Sequence, residues 1–178
     1  VYKRQDTQTI EDRGLEPLQP LFDLVKNTTN HQELARVSGE LYRHGVSGVI
    51  AAYVSPDAMK SDTYAMYVMQ DGITLPDESY YSDDQYSEIR TKFVEHIDRL
   101  AQLTDLEKHT GFSSSDLATH VLALETDMAS HHWDRVAVRD AQKTYNPVTR
   151  AELVELAEGF DVDAWLDALG VDPSVDHF

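Results

Sequence analysis

Cysteine is absent from the 178 residues, which excludes disulfides and thiolate metal sites. That suits a reducing compartment. The expected location is the cytoplasm of a bacterium, with secretion the other option, since many secreted bacterial proteins also lack cysteine. No apolar run approaches the ~18 residues that a transmembrane helix requires, so no membrane segment is expected in this stretch. The opening VYKRQDTQTIED has none of the apolar character of a signal peptide. Basic residues are scarce, with 15 lysines and arginines against 32 acids and a net charge of −17. Nucleic acids and anionic lipid surfaces are held by lysine and arginine, so neither is an expected partner; the acidic surplus reads as a solvated surface. There is no phosphate loop, no dinucleotide fingerprint, no internal repeat and no low-complexity tract.

What is present suffices for one compact domain. Apolar residues make up 41% of the chain, and a domain of this length buries roughly 70% of its unfolded surface. Pro17 suits the first turn of a short helix, followed by a stripe of Leu18, Leu21, Phe22 and Val25. Asn30 with Glu33 has the spacing of a capping box. Leu34, Val37, Leu41 and Tyr42 supply the next buried face, and Gly45 suits the left-handed position that ends it. The period then shifts to two. VSGVIAAYVSPD and TYAMYVMQD, separated by PDAMKSD, read as a β-hairpin over about residues 48–70. A lone hairpin is marginal, so it has to lean on helices or on a further strand.

The joint QDGITLPDESYY (residues 70–81) turns the chain off the hairpin. Its Gly72 and Pro76 suit a bend, Asp77 a hydrogen-bonded turn, and Tyr80 and Tyr81 packing at the foot of the next helix. Ser82, Asp83 and Asp84 offer an N-cap; Tyr86, Ile89, Phe93, Ile97 and Leu100 carry a helix to about Leu103. KHTGFSSS reads as a loop, and Ser113 with Asp116 as a cap for a helix through Leu117, Val121, Leu124 and Met128, ending near His132. Thr149 with Glu152 is a third box, opening a helix through Leu153 and Leu156. Asp161 caps a last helix containing Trp165, Leu166 and Leu169, which Gly170 stops. The expected fold class is mainly α, a multi-helix domain with one hairpin.

The search for chemistry gives no catalytic, cofactor-binding or metal-ligating residue. None of the eight histidines sits in HExxH, which places two imidazoles one turn apart. His131 and His132 are adjacent, and helical neighbours point about 100° apart, so one metal is poorly served by both. His44 and His96 lie within helical stripes and are expected at core margins. Glu125 and Asp127 do not share a helix face and make a poor acid–base pair. Asp83 and Asp84 read as a cap, and Ser113 to Ser115 lack the setting of a nucleophile elbow.

Five segments taken in order resemble the N-terminal half of the neprilysin family of zinc metalloendopeptidases, which includes the endothelin-converting enzymes and bacterial oligoendopeptidases. They are RGLEPLQPLFDLV (13–25), the hairpin, ITLPDESYY (73–81), LALETDMA (122–129) and RDAQKTYNPVTRAEL (139–153). Pro76, Asp77, Tyr80 and Tyr81 fall on the family pattern, whereas Ile73 stands where leucine is usual and Glu78 where arginine is usual. The resemblance implies a partial helical cap lobe over residues 6–178, cut at both ends, with residues 1–5 an uninterpreted leader that has the look of an artefact. It implies a parent enzyme that hydrolyses oligopeptides, with zinc held by HExxH and a downstream glutamate in a C-terminal catalytic lobe, the partner of this segment. No catalytic residue of the family maps onto this chain. The other reading is a self-contained acidic helical module that binds a basic partner without enzymatic activity.

Overall fold

Where the period of the sequence changes, the backbone changes with it. The computed structural model describes residues 6–178; the leader assigned to residues 1–5 lies outside them. Three helices come first, α1 (Thr7–Arg13), α2 (Gln19–Lys26) and α3 (His31–Arg43). The strands β1 (Ile50–Pro56) and β2 (Tyr64–Gln70) follow. Next come α4 (Ser79–Ser82), α5 (Ser87–Leu103), α6 (Glu107–Thr110) and α7 (Ser114–His131). The last two helices are α8 (Arg150–Leu156) and α9 (Val162–Leu169). The fold is mainly α with one antiparallel hairpin, as expected.

The helix ends follow the sequence signals closely. Thr149 and Glu152 form a complete capping box, and the side chains of Ser113 and Asp161 accept the Asp116 and Ala164 N–H groups at 3.1 and 2.9 Å. At the end of α3, Gly45 (φ +81°) donates to the Tyr42 carbonyl and Val46 to the Leu41 carbonyl, the paired bonds of a Schellman stop. Three expectations need correction. Asn30 caps α3 through the Glu33 N–H, but Glu33 returns to the N–H and hydroxyl of Thr29, one residue too early for a box. No side chain caps α5; instead Arg90 donates to the carbonyls of Tyr80 and Asp83, both at 2.8 Å, and so fixes the turn between α4 and α5. The start of KHTGFSSS is the short helix α6, closed by Gly111 in the left-handed region, rather than loop.

Two packing units flank the joint. In the first, α3 crosses α9, and one face of the hairpin lies against them. Ala35, Ala52, Met66, Val162, Trp165, Leu166 and Phe178 form the core there. In the second, α5 packs on α7 around Phe93, Ala101, Ala118 and Ala129. At the α3–α9 crossing the close approach is made by Gly39, whose Cα faces the Trp165 carbonyl and Ala168. Larger members of the expected stripes, Leu18, Val25, Leu34, Leu100, Leu124 and Leu156, are exposed instead.

The hairpin has a bond at each edge. On β1 the Tyr42 hydroxyl donates to the Ala52 carbonyl at 3.0 Å and accepts the Ala52 N–H at 3.2 Å. On β2 the Met66 N–H donates to the His177 carbonyl, and Phe178 exchanges both backbone bonds with Val148. The final residues thus lie as an extended strap beside the sheet, supplying the support that a two-stranded ribbon lacks.

The α3–α9 crossing predicts a specific sensitivity. A Cβ on Gly39 would lie 2.6 Å from the Trp165 carbonyl oxygen and 2.8 Å from the Ala168 Cβ. Gly39→Ala gains helix propensity of about 0.5–1 kcal/mol, but overpacking of a tight contact costs about 1–3 kcal/mol. Urea unfolding should therefore show a lowered midpoint; a raised one contradicts this account of the crossing.

Candidate functional site

The joint between the two packing units is a polar knot. Gly72 sits at φ +91°, and a Cβ there would meet the Met128 Cε at 2.4 Å and the Gly48 carbonyl at 2.7 Å, so only glycine fits. Two residues on, the Thr74 N–H and hydroxyl donate to the two carboxylate oxygens of Glu125 at 2.9 and 2.8 Å. Tyr81, 5% exposed, donates its hydroxyl to Glu125 Oε2 at 2.5 Å and accepts the Leu75 N–H at 2.9 Å. Burial, reinforced by the bond to Glu125, pushes the Tyr81 phenol well above its ordinary range and keeps it a neutral donor. Asp77 closes the turn through the Ser79 N–H at 3.0 Å, and Tyr80 stacks on Tyr86 with ring centres 4.0 Å apart. Glu125 is itself 8% exposed and has three donors upon it. Its carboxylate is engaged in holding the joint.

A second knot ties the hairpin tip to the C-terminal strap. Asp57 is 2% exposed. Its carboxylate accepts the N–H groups of Met59 and Lys60 at 2.7 and 2.8 Å, the Tyr145 hydroxyl at 3.1 Å and His177 Nε2 at 2.7 Å. Burial pushes the carboxyl up, but these donors together outweigh burial and hold it down at about 2. A carboxylate beside an imidazole supplies two of the three members of a catalytic triad. Among the described residues His177 makes no hydrogen bond to a serine, threonine or other nucleophile; the space against Asp57 is about 60 Å³, and His177 also lines a groove of about 690 Å³. The arrangement is a clamp.

Three wider grooves flank the hairpin. One, of about 690 Å³, runs beneath its tip between Tyr42, Val54, Tyr64, Met66, Val171 and Val175 and reaches Tyr53 at its rim. A second, of about 490 Å³, lies between the hairpin base at Ile50 and Met69 and the end of α7 at Asp127, Met128 and His131. The third, of about 340 Å³, lies beside Tyr53, Tyr67, Met69, Trp133 and Val138.

The residues weighed in the sequence are not gathered into one site. His131 is exposed and His132 half-buried at the end of α7, and His44 and His96 are exposed rather than set at core margins. Asp127 is exposed while Glu125 is buried, as their spacing required. Among the described residues, no three histidine or acidic side chains come together in a way that holds a metal. Sequence reasoning missed both knots. Glu125 had a signal, an acid on the same face of α7 as the buried Ala118 and Ala129. Asp57, Tyr145 and His177 had none, being 88 and 120 positions apart.

The sequence pattern of the N-terminal part of peptidase family M13 matches residues 3–177. The chain belongs to that family. Rat endothelin-converting enzyme 1 (Rattus norvegicus) is 28% identical over 169 residues, which is 90% of this chain and 22% of that protein. The human enzyme is also 28% identical, over 90% of this chain and 21% of its own length. Among solved structures, the zinc metalloprotease Zmp1 of Mycobacterium tuberculosis in complex with an inhibitor is 38% identical, with a TM-score of 0.85 over 93% of this chain and 25% of that one. The open state of Zmp1 gives a TM-score of 0.83 at the same identity. The chain thus spans about a fifth to a quarter of the M13 proteins it matches.

The Asp57 clamp sets an acid limb for stability. Its folded-state value of about 2 lies below the ordinary 3.8, so its contribution is present above about pH 4 and is lost as pH falls toward 2. Asp57→Asn should lower the urea midpoint at neutral pH and make the decline between pH 4 and pH 2 shallower than in the parent chain. An equally steep decline contradicts the clamp.

Proposed function

We propose that this chain is the non-catalytic, helical N-terminal portion of an M13 zinc metalloendopeptidase. In this reading it forms part of the wall around the active-site cavity and restricts substrates to oligopeptides. The zinc ligands, the general base and the substrate-binding residues belong to the catalytic portion of the same polypeptide, which is the principal partner of this segment. The observation that carries the reading is the family match along residues 3–177, combined with a site inventory in which both buried carboxylates are engaged by hydrogen-bond donors. The acidic interaction module accounts for the charge but not for the family match.

Two measurements test this. The DNA that continues this reading frame should encode a further M13 portion containing HExxH. The complete protein should then cleave oligopeptides in a chelator-sensitive way and leave folded proteins intact, while the 178-residue chain alone stays inactive with or without added zinc. Chelator-sensitive peptidase activity in the isolated chain would overturn the proposal, as would cleavage of folded substrates by the complete enzyme for its size-restricting part.

A further inference from the structure

The outer face of the hairpin presents a surface that the fold itself does not use. The strand residues that face α3 and α9 alternate with Tyr53, Tyr67 and Met69 on the other side. The Tyr53 and Tyr67 rings stack at 5.2 Å and 6°. The Tyr67 hydroxyl is fixed by the Ala58 N–H at 2.9 Å and donates to the Pro56 carbonyl at 3.2 Å. Beside them the Gln70 amide pairs with the Trp133 backbone in both directions, donating to its carbonyl at 3.1 Å and accepting its N–H at 2.9 Å. That clamp sets the indole next to β2, yet leaves it 47% exposed, with Met69 at 50% and Tyr53 at 48%.

These residues and Val138 line the groove of about 340 Å³, and none of its lining residues is charged. The rest of the chain carries 32 acids and 15 bases, so a face free of charge is a departure from its surroundings. Tyrosine, tryptophan and methionine with charge depleted is the composition of an interface centre. The larger groove beneath the hairpin tip has Arg43, Asp172 and Asp176 in its walls and fits that description less well.

We propose that this outer hairpin face is the docking surface for the remainder of the M13 polypeptide, which inserts apolar side chains between Tyr53, Met69 and Trp133. The inference rests on the reading of the chain as part of a longer M13 protein. The occupant follows from length: Zmp1 keeps this fold in one quarter of its chain, and the other three quarters are the polypeptide available to cover the face. A second copy of this chain is disfavoured, because it brings another charge of −17, and the groove offers no charge for a basic or acidic partner.

Hydroxyl-radical footprinting of the chain alone and of the same chain joined to its M13 remainder tests this. Tyr53, Met69 and Trp133 should oxidise readily in the isolated chain and several-fold more slowly in the joined protein. Met69→Lys supplies an independent arm. It should leave the melting temperature of the isolated chain unchanged, since the site is half exposed there, and lower that of the joined protein, where the lysine would be buried. If the remainder is present and the three residues oxidise at the same rate in both, or if Met69→Lys is neutral in both, the docking surface is wrong while the M13 reading stands. If the reading frame encodes no remainder, the reading fails and takes this surface with it.

Discussion

A buried carboxylate on α7 holds the joint on which the two packing units depend. Glu125 accepts the N–H and hydroxyl of Thr74 and the hydroxyl of Tyr81, and so ties the segment leaving the hairpin to the helix pair α5–α7. A carboxyl group in a setting that is 8% exposed is tolerable only because strong donors converge upon it. The cost of burying it is met by bonds that also specify where the chain turns. Gly72 is bound to the same constraint, since any side chain there would strike Met128 or the Gly48 carbonyl.

The same logic recurs at the strap. A carboxylate on the hairpin loop, Asp57, gathers a tyrosine and a histidine that arrive from two other parts of the chain. The strap in turn bonds to the edge of β2 and to Val148. Each knot joins segments that are distant in sequence. Both use carboxylates in a protein rich in them, which separates the few buried acids that shape the fold from the many that face water.

Much of the fold is legible in the sequence. Periodicity located the hairpin and the longer helices, and the caps at Ser113, Thr149 and Asp161 marked helix starts to the residue. The burial of particular positions was less legible. Leu34 and Leu124 look like core residues by size, but the helix contacts are made through Ala35, Gly39, Ala118 and Ala129, where small side chains permit close approach. The capping box assigned to Asn30 failed because two donors of Thr29 compete for the same glutamate. The knots escaped because their members are distant in sequence, and a buried glutamate differs from a solvated one only in what folds over it. The resemblance to neprilysin-like enzymes rested on short ordered motifs that local spacing preserves, and it led to the M13 family; the tertiary partners of those motifs emerged only in three dimensions.

The central claim is that Glu125 and Tyr81 act together to fix the joint, and a double-mutant cycle measures this directly. Tyr81→Phe, Glu125→Gln and the double variant would be compared by urea unfolding. Loss of the hydroxyl alone leaves the Leu75 N–H without its acceptor, while Glu125 Oε2 keeps only the Thr74 N–H, a cost of about 1–3 kcal/mol. The account predicts a coupling energy of about 0.5–3 kcal/mol between the two positions. Strictly additive losses would show that the two side chains act independently and that the joint is held by something else.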